Sequence, residues 1–292
     1  MSCRPLPGCR PEPLASYLKS LAVLRLVAEQ KEADARGFWQ DDVFQLESHL
    51  TEDELVRFFL EEYSPTPIVA PWNGGSGFYE GDQMDGIDGI AASDQSRFAL
   101  YRETIELIRT WGELPLRPET DEVLAVRLEA EASHKTGKAS QALLDDARAV
   151  RRGASAASVA KARTKANEAW RARRKAQIVR VCRSRLPDGA VDWLDAVIAL
   201  AADGTMRFPP LLGSGGNEGN LDYTNGFMRR IRELLIEPDG RTESLLRNAL
   251  FGAGATGLMP ESVGQHDPGR AGGFNQGPGI EHKKIPTNPW NF

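Results

Sequence analysis

Two segments rich in glycine and asparagine carry the residues whose types and spacing best suit binding chemistry. The first is Pro-Trp-Asn-Gly-Gly-Ser-Gly-Phe over residues 71–78, and the second is Leu-Gly-Ser-Gly-Gly-Asn-Glu-Gly-Asn over residues 212–220. Closely spaced glycines let successive backbone N–H groups converge, as they do in phosphate cradles. Asparagine can pair with adenine in the major groove or donate to minor-groove acceptors. We therefore predict nucleic-acid contacts from Asn73, Gly74, Gly75, Ser76, Gly215, Gly216, Asn217 and Asn220. The alternative is that both loops are structural turns.

A second candidate binding feature is the basic segment, residues 148–185. It holds 13 lysines and arginines and a single acid, Glu168, so it carries a net charge of +12 in a chain whose total is −5. Few ion pairs can form within it, and each contact to a phosphate would release counterions. In the same segment Trp170 is suited to stack on a base or to pack against the rest of the chain. The candidate phosphate contacts are Lys161, Lys165, Arg171, Arg174 and Lys175. The alternatives are a solvated helix face or a dock for the acidic remainder of the chain.

The other motifs with chemical potential do not form a catalytic or metal site in the sequence. No Gly-Lys-Ser or Gly-Lys-Thr follows the glycine loops, as a P-loop requires. Residues 252–257 match Gly-x-Gly-x-x-Gly, but they follow a helical segment instead of a strand, which argues against a dinucleotide site. The four histidines lack metal-ligand spacing. A solvated turn is predicted for Asp82, Asp85 and Asp88, since no glutamate closes a calcium loop. We expect no enzyme activity, no metal and no cofactor.

Composition is that of a globular cytoplasmic protein. The chain has 292 residues, of which 41% are hydrophobic, and its N-terminus lacks the apolar run of a signal peptide. No stretch approaches the roughly 18 uninterrupted apolar residues of a membrane span. The three cysteines are too few for a disulfide framework, so we expect free thiols in a reducing compartment.

Short strands and packed helices are predicted to hold the loops, which indicates a helix-rich α+β fold. Apolar residues recur at helical spacing over residues 13–29 and predict a core helix; its apolar positions are Leu14, Tyr17, Leu18, Leu21 and Leu24. Residues 43–47 are predicted to form a strand. Thr51 and Glu54 form a capping box for a helix that runs to about Tyr63.

The rest of the chain is predicted to form a helical arm between two parts of the body. Residues 94–111 favour a helix that buries Phe98, Tyr101, Ile105 and Ile108. Residues 119–186 favour helices with breaks near Gly137 and Gly153, and residues 187–189 close them. A packed helix then begins at Trp193, and another covers residues 229–236 after the second loop. We predict an N-terminal mixed domain, 1–118, a basic helical arm, 119–188, and a Gly/Asn-rich continuation of the body, 189–292.

Taken in order, several motifs resemble the large subunit of type I-G (formerly I-U) CRISPR surveillance complexes. These motifs lie at residues 8–14, 70–78, 213–219, 223–225 and 288–290, so the resemblance spans nearly the whole chain. Members of that family are longer, and the ending at residues 288–292 lacks a polar tail. The resemblance therefore implies an N-terminal portion of the subunit, truncated at its C-terminus.

The resemblance implies a non-catalytic subunit that recognises the protospacer-adjacent motif in duplex DNA and helps to open the duplex. Its expected partners are target double-stranded DNA, CRISPR RNA, the other subunits of the complex and a separate helicase-nuclease recruited for antiviral defence. In such systems protein reads a short motif and base pairing reads the remaining sequence. One alternative is an assembly scaffold that grips guide RNA and neighbouring subunits without reading DNA. Another is an enzyme whose glycine loops bind a nucleotide.

Overall fold

The computed structural model describes residues 1–73, 75–79, 82–110, 121–153, 175–200, 206–207, 222–253, 259–260 and 286–291. Within them the chain has the predicted helix-rich α+β fold with a three-stranded antiparallel sheet. In chain order the elements are β1 (Ser2–Leu6), α1 (Leu14–Gln30), β2 (Arg36–Gln40), β3 (Val43–Ser48), α2 (Glu52–Arg57), α3 (Asp85–Ala92), α4 (Ala99–Thr110), α5 (Asp121–Ser133), α6 (Gly137–Arg151), α7 (residues 175–185), α8 (Asp188–Val197), β4 (Ala199–Leu200), β5 (Met206–Arg207), α9 (Asp222–Ile231), α10 (Thr242–Phe251), β6 (Met259–Pro260) and β7 (Pro286–Thr287). Single turns of other helix types add Phe58–Glu62, Ser96–Phe98, Arg232–Ile236 and Pro289–Asn291.

The three-stranded sheet forms one wall of an N-terminal core. Strand β3 lies between β1 and β2, and Phe44 is paired with Leu6 on one side and Trp39 on the other. Helices α1, α2 and α10 supply the remaining walls. The buried residues of this core include Leu6, Val23, Val27, Phe44, Leu46, Leu55, Phe58, Leu246 and Leu250. The predicted strand at residues 43–47 and the Thr51–Glu54 capping box are confirmed.

Helix α1 is present as predicted, but the prediction of its packed side was wrong. The helix buries Ala15, Val23 and Val27. Of the five predicted apolar positions only Leu24 packs against the N-terminal core, and the other four stay more than a third exposed: Leu14, Tyr17, Leu18 and Leu21. Leucine, alanine and valine occur around most of this helix, so spacing alone could not select the side that meets the sheet.

A second, central core surrounds the first glycine loop. Helices α3, α4, α7, α8 and α9 contribute to it, and Trp72 and Phe78 join it from the loop. Its buried residues include Ile87, Ile90, Phe98, Tyr101, Ile105, Ile108, Ile178, Cys182, Leu194, Met228 and Ile231. The four residues predicted to face the core from the 94–111 helix are therefore confirmed as buried.

Two helices begin earlier in the chain than the sequence indicates, and a third replaces a predicted turn. Residues 187–189 were predicted to end the arm, but Pro187 caps α8, which begins at Asp188. Proline has no N–H to leave unpaired there, and an aspartate in the first turn suits the positive end of the helix dipole. Helix α9 begins at Asp222, before the predicted start of this helix at Arg229. The predicted solvated turn was also wrong, because Asp85 and Asp88 lie in α3.

Helices α5 and α6 form an antiparallel helical hairpin with a small core of its own. Its buried residues are Leu124, Ala125, Leu128, Ala147 and Val150. Gly137 starts α6, and Gly153 follows its end with φ +66°, so both predicted breaks are confirmed. On the surface Arg151 contacts Glu122 and Glu129 across the hairpin.

Residues 286–291 return to the N-terminal core. Trp290 packs against both the N-terminal and the central core, and its indole N–H donates to the carbonyl of Thr242 at 3.1 Å. Asn288 donates to the carbonyl of Leu245 at 2.7 Å. Gly252 ends α10 with φ +69°, as a helix-terminating glycine does.

Two expectations from composition can be compared with the structure. Cys3, Cys9 and Cys182 are free cysteines, as predicted. Among the helices of the described ranges, none has both the length and the apolar character that crossing a membrane requires.

Candidate nucleic-acid interface

The first glycine loop comprises the segment 71–78 and the residues up to 83, of which 71–73, 75–79 and 82–83 are described. It follows an extended segment that side chains of the central core hold in place. The hydroxyl of Tyr101 donates to the carbonyl of Ile68 at 2.9 Å. The indole N–H of Trp193 donates to the carbonyl of Val69 at 2.9 Å. These bonds replace the partners that a sheet would give this backbone, because residues 68–70 are buried outside any strand. The loop therefore leaves the core from a fixed point.

Within the loop, one carboxylate gathers the backbone of the glycines. The N–H of Gly75 donates to Oδ1 of Asp82 at 2.8 Å, and the N–H of Gly77 donates to Oδ2 at 3.0 Å. The N–H of Tyr79 also donates to Oδ2, at 3.3 Å. Gly75 and Gly77 have φ values of +79° and +86°, which permit this convergence of N–H groups. The N–H groups of these residues converge on one anion, the carboxylate of Asp82.

A hydrogen bond joins the described part of the basic segment to the first glycine loop. The amine of Lys175, at the start of α7, donates to Oδ1 of Asn73 at 2.9 Å. Burial lowers the pKa of the Lys175 amine to about 8. Ile178 and Cys182 anchor the same helix in the central core. Two features that the sequence places 102 residues apart are thus joined in space.

Helix α9, which follows the second Gly/Asn segment, contacts the first glycine loop through Asn225. Asn225 is buried, and its amide donates to the carbonyl of Gln83 at 2.9 Å. A Cβ added at Gly77 would lie 3.3 Å from Oδ1 of Asn225. One turn further along, a Cβ at Gly86 would lie 2.8 Å from the backbone nitrogen of Arg229, so α3 and α9 are in close backbone contact. Motif 223–225 therefore reaches the first loop through its last residue.

The structure brings together part of the predicted site. Asn73, Gly75, Ser76 and Lys175 lie at one place, around the first glycine loop. Asn73 and Ser76 are buried, with exposed fractions of 6% and 0%. The other predicted site residues lie outside the described residues: Gly74, Gly215, Gly216, Asn217, Asn220, Lys161, Lys165, Arg171 and Arg174. Trp170 lies outside them as well.

Two residues at this interface were not among the predicted contacts. Asp82 was assigned to a solvated turn, and Asn225 appeared only as part of a motif. The signal of Asn225 is weak because its partner, the carbonyl of Gln83, lies 142 residues away. Asp82 lies only 3–7 residues from the amides that donate to it. An aspartate that follows closely spaced glycines is a hint of an internally filled anion site.

A separate surface cluster of two carboxylates and one histidine was not predicted from the sequence. Ligand atoms of Glu32, Asp34 and His49 lie within 4.8 Å of one another. Both carboxylate oxygens of Glu32 accept from the backbone N–H of His49, at 2.9 and 3.0 Å. These bonds tie the end of α1 to the end of β3, which gives the cluster a structural role.

No protein-family model matches the sequence, and no curated protein matches it either.

Proposed function

We propose that this chain is a non-catalytic, DNA-binding large subunit of a cytoplasmic RNA-guided CRISPR effector complex. In this role it would recognise the protospacer-adjacent motif, bind target DNA and support the recruitment of a separate helicase-nuclease. The ordered motifs of the sequence suggest the type of complex. The hydrogen bond between Lys175 and Asn73 is the observation that carries the proposal, because it joins the basic segment to the first glycine loop.

The amine of Lys175 is suited to contact a phosphate. With a pKa of about 8 it is mostly protonated at neutral pH. It is only half-buried, and its position beside the loop would place a bound phosphate next to Asn73. A lysine provides a point charge that fixes the position of a backbone without reading its sequence. Lys175 would therefore position the duplex, and nearby side chains would read it.

The burial of Asn73 sets a condition on base reading. Its side chain is 6% exposed, and its Oδ1 accepts from Lys175. A base edge can reach the amide only if the groups that cover it move when DNA binds, as occurs in many regulatory interactions. If Lys175 moved to a phosphate, the Asn73 amide would be released at the same time. The hydrogen bond thus couples backbone contact to base contact.

The same geometry supports a second candidate, an assembly scaffold that holds guide RNA and neighbouring subunits without reading DNA. The amides of Gly75 and Gly77 already donate to Asp82, as those of a structural loop would. In that case Asn73 serves the fold, and motif reading belongs elsewhere in the complex.

Binding of the assembled complex to duplex targets with and without the adjacent motif separates the two candidates. Asn73→Ala should reduce the preference for the motif-bearing target about tenfold, since one bidentate base contact contributes about 1–3 kcal/mol of discrimination. Asn73→Asp keeps an acceptor for Lys175 while removing the amide donors, so it should also lose discrimination. Asn217→Ala tests the second loop in the same assay.

Gln141→Ala removes an amide side chain from the helical hairpin and is the matched control. It should leave the preference for the motif-bearing target unchanged. Unaltered discrimination in both Asn73 variants and in Asn217→Ala would reject base reading by these loops and favour the scaffold.

A further inference from the structure

The carboxylate of Asp82 occupies the place where an external anion would bind in the first glycine loop. Three backbone N–H groups, those of Gly75, Gly77 and Tyr79, donate to its two oxygens at 2.8–3.3 Å. The Ser76 hydroxyl lies 3.5 Å from Oδ2. Successive N–H groups arranged around one point, with glycines at positive φ, form an anion-binding nest. Here the anion belongs to the same chain.

An internal anion changes what the loop can bind. An N–H group that already donates to a carboxylate has no second hydrogen to offer a phosphate. Displacing Asp82 would also leave a charged group to find new partners. The amine of Lys175 contacts the loop through a different group, the side chain of Asn73.

We propose that Asp82 is the positioning residue of the first glycine loop, filling its anion nest from within, so that phosphate at this interface is bound by Lys175 and not by the loop amides. Asp82 then fixes the turn from which Asn73 projects toward Lys175. The role of Lys175 rests on the proposed function, whereas the role of Asp82 is a property of the chain itself.

Chemical rescue tests the nest directly. Asp82→Ala should lower the melting temperature of the full chain by roughly 5 °C, since several charge-assisted hydrogen bonds are lost at once. Sodium acetate or inorganic phosphate should restore most of this loss by entering the empty nest, whereas sodium chloride at equal ionic strength should not. Asp85→Ala removes the next acid, which is exposed and lies 3.4 Å from Arg232, and should show no such rescue.

The wild-type chain provides a test that does not depend on a stable variant. In nitrogen-15 NMR spectra, the amide signals of Gly75, Gly77 and Tyr79 should stay in place when inorganic phosphate is added. Asp82→Asn keeps the size of the side chain and should show partial destabilisation without rescue, because the nest is still filled.

Three results would overturn the role of Asp82: an Asp82→Ala chain as stable as wild type, equal effects of acetate and chloride, or phosphate-dependent shifts of the wild-type loop amides. If rescue succeeds but loss of the Lys175 charge leaves DNA binding unchanged, the nest stands and the proposed phosphate contact fails.

Discussion

The first glycine loop and the α5–α6 helical hairpin show two different ways of ordering a polar segment. The loop is ordered partly by Trp72 and Phe78, which are buried in the central core, and partly by polar contacts with Asp82 near its end and with Lys175 and Asn225 from helices distant in sequence. The hairpin is ordered by neighbours in sequence, with a five-residue core and ion pairs made by Arg151. Packing between neighbouring helices can be predicted from sequence, whereas contacts between polar groups that lie far apart in sequence cannot.

The loop and the hairpin should also differ in how well they tolerate substitutions. Close backbone approach surrounds the loop, as the predicted contacts of added Cβ atoms at Gly77 and Gly86 show. In the hairpin, a Cβ at Gly137 or Gly153 would meet none of the described residues within 4 Å. We therefore expect substitutions near the loop to be costly and those at the hairpin turns to be mild.

A pair of alanine substitutions should show the largest contrast. Gly86→Ala places a methyl group 2.8 Å from the backbone of Arg229 and should cost about 3 kcal/mol of unfolding free energy, because α3 and α9 must separate. Gly153→Ala strains a residue with φ +66° but meets no neighbour among the described residues, so it should cost about 1 kcal/mol. Urea denaturation followed by tryptophan fluorescence measures both. Equal losses would contradict the close packing around the loop.

A core truncation in the hairpin should have a more local effect. Leu128→Ala removes part of a small core and should cost about 2 kcal/mol, at the lower end for buried leucines. Hydrogen exchange should accelerate within residues 121–151 and stay unchanged at the first glycine loop. Faster exchange at Gly75 or Gly77 would show that the two regions are not independent.

The pH dependence of stability should expose the half-buried lysine. Burial lowers the pKa of Lys175 from 10.5 to about 8, so the unfolded chain binds more protons than the folded chain between those values. The free energy of unfolding should gain a contribution that rises with pH across this window. Urea denaturation from pH 8 to 10 should therefore show a steeper rise for wild type than for Lys175→Met. Identical pH profiles would mean that this amine is not desolvated.

The smallest effect is expected at the surface of the hairpin. Arg151→Gln removes ion pairs to Glu122 and Glu129, which hold the pKa of Arg151 above its ordinary value. These groups are solvent-exposed, so the change in melting temperature should be slight and should vanish at about 1 M salt. A salt-independent loss would indicate that the arginine packs and does not act through its charge.

Much of the fold follows from local sequence rules, and the limits are equally physical. The Thr51–Glu54 cap, the buried side of α4 and the breaks at Gly137 and Gly153 each depend on near neighbours, and all were predicted correctly. The packed side of α1 was missed because both sides are apolar. Strands β1 and β2 were missed because they are short edge strands with polar residues on one face.

The residue types of the candidate site could be predicted from the sequence, but their contacts in space could not. Glycine spacing indicated convergent amides, and charge segregation indicated a cation. The bonds from the amides to Asp82 are local, but the meeting of Lys175 with Asn73 depends on the packing of α7 in the central core. Asn225 reaches the loop only because Gly86 lets two helices approach closely.

The salt dependence of duplex DNA binding by the full chain tests the central claim most directly. Lys175→Gln should flatten the slope of log Kobs against log salt by about one unit, since one phosphate contact is lost. Lys138→Gln neutralises an exposed lysine of the hairpin and should leave the slope unchanged. Lys175→Arg keeps the charge, so it should retain most of the wild-type slope. A wild-type slope in Lys175→Gln, or an equal change in Lys138→Gln, would contradict a phosphate contact at the first glycine loop.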